Sequence, residues 1–238
     1  AAGYDADGNY LGDQDVSWSV TGTLDAVTNS GSSITFSPSK SSTSGTIVVS
    51  SGGVTGCARG TITAGSGALS RKAILDDANG TGSLVETLSF TTDENILLYM
   101  AGYDADDNYI RDVKVQWTVQ GGIGEINTGG TYTTSTIFTA TTIGTGVVQA
   151  DSSVFEDETG IITVSGGSLS SLQIRDEGNG GGSSIGDVSL TTDETLTMYA
   201  AGYDADGNYL GDQDVSWSVT GTLDAVTNSG SSITFSPS

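Results

Sequence analysis

The chain repeats its own sequence over a long stretch. Residues 1–39 and 200–238 are identical, with an offset of 199 positions, and identity over that length does not arise by chance. A diverged copy lies between them, because AGYDADDNYIRDVKVQWTV at 101–119 matches AGYDADGNYLGDQDVSWSV at 201–219 with an offset of 100. A repeat of about 100 residues is the size of one small β domain. The sequence therefore predicts successive copies of a single fold.

A second pair of matching stretches fixes where each copy begins. GALSRKAILDDANG at 67–80 corresponds to GSLSSLQIRDEGNG at 167–180. We therefore predict a complete unit at 67–166, which we call the middle segment. A partial unit at 1–66, the first segment, precedes it and lacks strand A and most of strand B. A partial unit at 167–238, the last segment, follows it and lacks its closing strands.

Alternating apolar and polar residues predict β-strands in these segments. In the middle segment Val115, Trp117 and Val119 alternate with polar residues, which is typical of a strand with one buried face. No stretch has the 3.6-residue period of an amphipathic helix, and clusters of Gly, Ser, Asn and Asp separate short strands. About seven strands per unit predict an all-β fold of tandem antiparallel β-sandwich repeats. We expect Trp117 and its counterparts Trp18 and Trp217 to be buried in the cores.

The chain is strongly acidic. It holds 29 Asp plus Glu against 7 Lys plus Arg, for a net charge of −22, which repels phosphate backbones and anionic lipid headgroups. We therefore expect no nucleic-acid partner. No apolar run approaches the roughly 18 residues of a membrane-spanning helix, so direct membrane insertion is not expected either. The single cysteine, Cys57, excludes an intrachain disulfide.

The sequence offers little for catalysis. It contains no His, so a Ser or Cys nucleophile lacks its usual base. Its carboxylates fall in turns, such as Asp93 and Glu94 at the entry of a strand, where no apolar cleft perturbs them. We therefore expect that the chain is not an enzyme.

At this point the motifs resemble a known family. The run LYMAGYDADDNYIRDVKVQWTV, followed by GTGVVQA and GIITVS, is similar to the bacterial immunoglobulin-like repeats of invasin- and intimin-type adhesins and other large surface proteins. In that family a turn of the form D-A-N-G-N joins the second and third strands, and the same place here reads DADGN at 204–208 and DADDN at 104–108. This chain has Tyr109 and Tyr209 where the family often has Pro. The resemblance implies an immunoglobulin-like sandwich that serves as an extracellular spacer at the cell surface, without catalytic machinery.

Two acidic loops are candidates for binding calcium. The first is the DADGN turn, where side-chain oxygens at alternating positions suit a hard cation; the alternative is a hairpin turn alone, because Asp, Gly and Asn favour such turns. The second is the A–B loop that follows strand A. Stacking units end to end would bring this loop towards the turn of the next unit, with calcium at the joint; no cofactor is required otherwise. The candidate ligands are Asp5, Asp7, Asn9, Asp76, Asp77, Asp104, Asp106, Asp176, Asp204 and Asp206.

Three functions fit these features. The first is a structural repeat of an extracellular filament or stalk, in which each unit contacts mainly further copies of the same repeat, in the same or neighbouring chains. The second is an adhesive module that binds a glycan, a host protein or a surface, since tyrosine offers rigid contact area. The third is an accessory module of a large secreted enzyme. The tyrosines that the adhesive interpretation depends on are Tyr4, Tyr10, Tyr103, Tyr109, Tyr203 and Tyr209.

The two partial segments raise a question about assembly. Each segment is so short that its hydrophobic core is small, and losing strands would remove much of the buried area that stabilises it. We therefore expect residues 1–238 to be a window on a longer chain of alternating units. The alternative is a subunit that assembles by exchanging strands with its neighbours.

Overall fold

The computed structural model describes residues 1–57, 60–152 and 155–238, and every regular element in these ranges is a β-strand. The first segment holds β1 (Ala2–Tyr4), β2 (Tyr10–Asp13), β3 (Val16–Val20), β4 (Asn29–Gly31), β5 (Thr43–Gly45), β6 (Ile47–Ser51), β7 (Val54–Cys57) and β8 (Ile62–Ala64). No helix in the described residues is long and apolar enough to cross a membrane.

The middle and last segments contain the other strands. The middle segment holds β9 (Arg71–Leu75), β10 (Leu88–Thr91), β11 (Asn95–Tyr103), β12 (Tyr109–Asp112), β13 (Val115–Gln120), β14 (Gly124–Ile126), β15 (Tyr132–Thr133), β16 (Ser135–Ala140), β17 (Gly144–Ser152), β18 (Phe155–Glu158) and β19 (Ile162–Ser165). The last segment holds β20 (Ser171–Arg175), β21 (Leu196–Tyr203), β22 (Tyr209–Asp212), β23 (Val215–Ser218), β24 (Thr227–Gly230) and β25 (Ser232–Phe235).

The chain packs into two compact units. One consists of Ala1–Ala73, Ala78–Thr81 and Ala101–Val113, and the other of Ile74–Asp77, Gly82–Met100 and Lys114–Ser238. These units are defined by packing, whereas the segment boundaries predicted above follow the sequence repeat. We keep the segment names for positions along the chain, and the boundaries stay a prediction.

The middle segment contains two sheets. One has the strand order β12-β11-β16-β14, with β9 also paired to β11, and the other has the order β10-β19-β17-β13-β15, with β18 paired to β17. Their inner faces meet where the rings of Phe90 and Phe138 lie 6.1 Å apart. The strand pairs whose register the structure describes are antiparallel, except that β10 and β19 are parallel, with Leu88 beside Ile162. The predicted all-β, immunoglobulin-like antiparallel sandwich is confirmed.

Trp117 anchors the core of this sandwich. It lies on β13, directly opposite Ala150 on β17, so a small side chain on the neighbouring strand leaves room for the indole. Trp117 is 1% exposed, and its Nε1 donates to the carbonyl oxygen of Thr133 at 3.3 Å. The other fully buried residues of the middle segment include Leu98, Met100, Val115, Ile123, Phe138, Val148 and Ile162.

The two partial segments bury their tryptophans to different extents. In the last segment Trp217 is 8% exposed, as predicted. In the first segment Trp18 is only half-buried, so the prediction was wrong there. The physical reason is that the last segment has β20 and the whole of β21, which form a sheet with β25, whereas in the first segment β1 matches only the last residues of β21 and no described strand matches β20. In both segments the indole Nε1 donates to a glycine carbonyl, of Gly31 and Gly230 respectively.

Replacing Trp117 by Ala should lower the free energy of unfolding of the middle segment by about 3–5 kcal/mol, since a large buried side chain leaves a cavity that the core closes only in part. The same replacement at the half-buried Trp18 should have a smaller effect on its own segment. Hydrogen exchange of the β13 and β3 amides in increasing urea measures both effects. An unchanged free energy after Trp117→Ala, or a larger loss after Trp18→Ala, would contradict the assigned core.

Candidate functional site: the turn at the joint between segments

An aspartate organises the turn between β11 and β12. Oδ1 of Asp104 accepts hydrogen bonds from the backbone amides of Asp106 (3.0 Å) and Asn108 (2.9 Å), and Nδ2 of Asn108 lies 3.1 Å from both carboxylate oxygens. The amide of Asp104 in turn donates to the carbonyl oxygen of Asn108 at 3.0 Å. A side chain that binds nearby amides in this way favours a turn. The hairpin interpretation of the DADGN motif is therefore correct for its internal geometry.

The same turn occurs in all three segments. Asp5 and Asp204 accept the corresponding amides at 2.8–3.1 Å. The fourth residue has a positive φ in each copy: 87° at Gly8, 84° at Gly207 and 65° at Asp107. Glycine adopts this conformation without steric cost, and aspartate tolerates it better than most residues do. This explains why the DADDN variant keeps the turn of the DADGN copies.

In the last segment the turn aspartate also binds Thr92 of the middle segment. Oδ2 of Asp204 accepts a hydrogen bond from the hydroxyl of Thr92 at 2.7 Å and one from the amide of Gly167 at 3.3 Å. Thr92 is 4% exposed and Asp204 is 3% exposed. A buried carboxylate is costly unless it is fully hydrogen-bonded, and here both segments supply its donors.

The asparagine of the turn makes a second link. Nδ2 of Asn208 donates to the carbonyl oxygen of Thr141 at 2.9 Å. The chain between β19 and β20 is bound as well, because the amide of Ser168 donates to Asp93 at 2.8 Å and the amide of Ser170 donates to the carbonyl oxygen of Tyr203 at 2.8 Å. The middle and last segments are thus joined by direct hydrogen bonds.

The first and middle segments meet through the same groups. At the start of the middle segment the amide of Gly67 donates to Oδ2 of Asp104 at 2.8 Å, and Asp104 is 3% exposed. The link to the first segment itself is made by Asn108. Asn108 uses both ends of its amide: Nδ2 donates to the carbonyl oxygen of Ser39 and Oδ1 accepts from the amide of Ser41, both at 2.9 Å. Two joints with equivalent contacts indicate that the arrangement follows from the repeat.

The hydrogen bonds make these carboxylates stronger acids. The amide of Gly67, followed by Asn108, lowers the pKa of Asp104. Burial raises the pKa of Asp204, but the hydrogen bonds from Thr92, Asn208 and Gly167 outweigh it and lower that pKa from the ordinary 3.8 to about 2. A depressed pKa in the folded chain means that the charge stabilises the fold above about pH 3.8, and that this stabilisation is lost as the pH falls towards 2.

The A–B loop, which we expect to lie towards the turn of the next segment, makes hydrogen bonds within its own segment. Oδ1 of Asp76 accepts the amide of Ser83 in its own loop at 2.6 Å, and the copy in the last segment repeats this contact between Asp176 and Ser183 at 2.6 Å. The amide of Asn79 donates to Asp112 on β12 at 3.3 Å. The loop is therefore held against the hairpin of its own segment, whereas Thr92, Thr141 and Gly167 contact the next turn.

The predicted calcium ligands are not gathered in one place. Among the described residues no group of three or more His, Cys, Asp and Glu side chains has the geometry to hold a metal ion. Asp5, Asp7 and Asn9 are exposed, as are Asp106 and Asp206, and Asp77 lies beside Asp76 in the A–B loop. Calcium at the buried aspartates would have to compete with the amide and hydroxyl donors. Its binding stays a prediction: calcium that binds only the folded chain raises the melting temperature, and identical melting curves in chelator and in millimolar calcium would contradict it.

The tyrosines on which the adhesive interpretation depends are engaged within their own segments. The rings of Tyr103 and Tyr109 lie 6.0 Å apart, and the hydroxyl of Tyr109 donates to Asp112 at 2.9 Å. Burial and this hydrogen bond raise the pKa of Tyr109 to about 12. Tyr203 and Tyr209 form the same pair at 5.8 Å. Only the first-segment pair is exposed, with Tyr4 at 62% and Tyr10 at 59%.

The sequence interpretation missed Thr92, although a signal for it was present. The stretch TTDE occurs at 91–94 and again at 191–194, in the repeat register. The sequence alone predicts that Asp93 and Glu94 are polar residues of a turn. Glu94 does cap that turn, since Oε2 accepts the amide of Thr91 at 2.7 Å. Thr92 and Asp93 instead bind residues of the last segment, Asp204 and Ser168. Because all four residues of TTDE recur in the repeat register, the sequence held a signal that Thr92 and Asp93 also have a role.

Comparisons with known proteins identify no family. No family model matches the chain, and no curated protein matches it. Among solved structures it is similar to domains 4–9 of the surface layer protein SbsC, with 16% identity, a TM-score of 0.32, and coverage of 97% of this chain and 38% of that one. It is also similar to the Escherichia coli adhesin FdeC, with 16% identity, a TM-score of 0.40, and coverage of 98% and 80%. The chain spans well under two thirds of the SbsC structure, and neither likeness carries a conclusion about function.

Replacing Thr92 by Val removes the hydroxyl donor and keeps the shape of the side chain. It should destabilise the joint by about 1.5–3 kcal/mol, the usual range for a hydrogen bond to a charged group. The matched control is Thr192→Val, because Thr192 occupies the same repeat position and is exposed; it should change stability by less than about 0.5 kcal/mol. Hydrogen exchange of the Gly167 and Ser168 amides measures the difference. Equal effects of the two substitutions would contradict the assigned role of Thr92.

Proposed function

We propose that this chain is a structural repeat of an extracellular stalk or filament at a bacterial cell surface, and that it acts as a spacer. The observation that carries the proposal is the hydrogen bonding of the buried Asp204 by Thr92 and Gly167. A spacer has to hold each repeat in a defined orientation to the next. Directional bonds to a buried charge do this, because rotation at the joint takes the Thr92 hydroxyl away from the buried carboxylate of Asp204.

The connection between the middle and last segments supports the same role. Relative motion is the default for two domains joined by a short linker. Here the linker amides of Gly167, Ser168 and Ser170 all donate to fixed acceptors. These three hydrogen bonds hold the linker at fixed points and oppose bending.

Composition and resemblance point to the location. A net charge of −22 favours solubility and disfavours nucleic-acid partners. The resemblance to the repeats of invasin- and intimin-type adhesins suggests the outside of a bacterial cell, with further copies of the repeat as the main partners. No residue is assigned a catalytic role, since the sequence lacks His and its two most buried carboxylates are bound by hydrogen-bond donors.

The adhesive alternative has less support. A binding surface built on tyrosines needs their rings and hydroxyls to be accessible. The hydroxyls of Tyr109 and Tyr209 are already bonded to Asp112 and Asp212. The same hydrogen bond joins Tyr10 to Asp13 in the exposed pair of the first segment. These contacts favour a structural role for the tyrosines.

The stiffness of the joint between the middle and last segments tests the proposal, and residual dipolar couplings measure it. Residual dipolar couplings from the middle and last segments should fit a single alignment tensor in the unaltered chain. Asp204→Ala removes the acceptor and should separate the data into two tensors. Asp5→Ala is the matched control, because Asp5 makes the same contacts within its turn but is exposed, and it should leave the single tensor intact. Two independent tensors in the unaltered chain would refute the spacer role.

A further inference from the structure

The outer face of one sheet in the middle segment carries four aligned polar side chains. Gln116 on β13 lies opposite Tyr132 on β15 and Asp151 on β17. Asp151 in turn lies opposite Glu156 on β18. Side chains of directly paired residues share one side of a sheet, and Trp117, the neighbour of Gln116, fills the core on the other side. We call these four residues the planar row, because each side chain ends in a flat amide, carboxylate or ring.

The fold does not require these residue types. In the first segment the corresponding strands β4, β3, β6 and β7 pair in the same way, and their row is made of small hydroxyl residues: Ser30, Ser17, Ser50 and Thr55. All four are exposed. Since the strands pair in the same manner with serine and threonine in the row, the large planar groups of the middle segment are not needed for strand pairing. They give the surface of one repeat a different chemistry from that of another.

The planar row borders a hollow on the sheet. A cavity of about 280 Å³ is lined by Gln116, Thr118, Gln149, Ala150, Asp151 and Glu156. Sites for small molecules have volumes of about 300–1,000 Å³, so this cavity is close to the lower end of that range. Tyr132, which lies opposite Gln116 at one end of the row, is 55% exposed. The face thus combines a small polar cavity with an accessible aromatic ring.

The polar groups of the cavity are available to a ligand. Gln149 is held in place, because its Oε1 accepts a hydrogen bond from Nε2 of Gln120 at 3.2 Å. The side chains of Gln116, Asp151 and Glu156 make no hydrogen bond to a residue that the structure describes. An amide both donates and accepts, whereas a carboxylate accepts at two oxygens. The cavity therefore offers donors and acceptors together.

We propose that the planar row of the middle segment binds a short neutral oligosaccharide. The ring of Tyr132 stacks on the C–H face of one sugar ring, because tyrosine has a flat apolar body. The amide of Gln116 and the carboxylate of Asp151 each bridge two neighbouring sugar hydroxyls, since each presents two polar atoms in one plane. The row crosses four adjacent strands and is about 14 Å long, at roughly 4.8 Å per strand, which suits a chain of sugars.

Charge selects among the ligands that such a row could take. The row contains the carboxylates of Asp151 and Glu156, and the one basic residue near Gln116 in sequence on β13 is Lys114, just before the strand. Together with the net charge of −22, these carboxylates disfavour glycans that carry uronate or sialate groups. A basic peptide would pair with the carboxylates, but exposed ion pairs stabilise little. It would also leave the Gln116 amide and the Tyr132 ring unused, whereas a neutral sugar uses the whole row.

NMR titration of the whole chain tests the site. The neutral probes are maltotetraose, cellotetraose and tri-N-acetylchitotriose, and the charged probes are sialyllactose, trigalacturonate and tetralysine. At least one neutral probe should shift the side-chain amide signals of Gln116 and Gln149 in a saturable way. The proposal would be overturned if no neutral probe did so, or if only tetralysine did so and high salt abolished the shift. Binding at this face does not depend on the stiffness of the joints, so this proposal and the spacer role fail separately.

Two substitutions give the row the residues of the first segment. Tyr132→Ser and Gln116→Ser place serine where the first segment has Ser30 and Ser17, so the sheet should stay folded, as hydrogen exchange of the β13 amides can verify. Each should weaken binding about tenfold or more, because a stacked ring or a bridging amide is lost. Tyr4→Ser is the matched control, since Tyr4 is 62% exposed and lies outside the row; it should leave the affinity unchanged. Undiminished binding after Tyr132→Ser, or an equal loss after Tyr4→Ser, would overturn the proposal.

Discussion

The buried carboxylate of the turn aspartate is the group on which the joints depend. Asp104 and Asp204 are each 3% exposed, and their oxygens accept donors from their own turn and from the preceding part of the chain. Few carboxylates are buried so completely without a basic partner. The same carboxylate accepts hydrogen bonds within the turn and at the joint. If the turn became disordered, the hydrogen bonds at the joint would therefore be lost as well.

Identical sequences reach different degrees of burial in this chain, which separates local from tertiary effects. Residues 1–39 and 200–238 form the same hairpin, with the same bulge after Gly3 and Gly202. Local structure is thus fixed by the residues themselves. The exposure of Trp18 and Trp217, or of Leu24 and Leu223, follows instead from which strands lie alongside. Turn chemistry is local, but the core is made only when all strands of a repeat are present.

The same distinction explains what the sequence could predict. Period-2 alternation around Trp117 predicted its strand and its burial correctly, and the DADGN composition predicted a hairpin turn. Trp18 was predicted wrongly, because its cover depends on strands absent from the first segment. Thr92 was missed because it meets Asp204 across 112 positions of sequence, a contact that follows from packing and has no local pattern. End-to-end stacking of sandwiches predicts the A–B loop near the turn of the next unit, and the structure adds a hydrogen bond from the amide of Asn79 to Asp112 on the hairpin of its own segment.

Titration of the Asp204 carboxyl carbon by NMR measures the central interaction directly. The assigned hydrogen bonds favour the charged form, so the pKa should lie at about 2, and Thr92→Val should raise it towards the ordinary 3.8. In the unaltered chain the amide of Gly167 should stay protected from hydrogen exchange until the pH falls to the pKa of Asp204. An Asp204 pKa near 3.8 that does not respond to Thr92→Val would contradict the account.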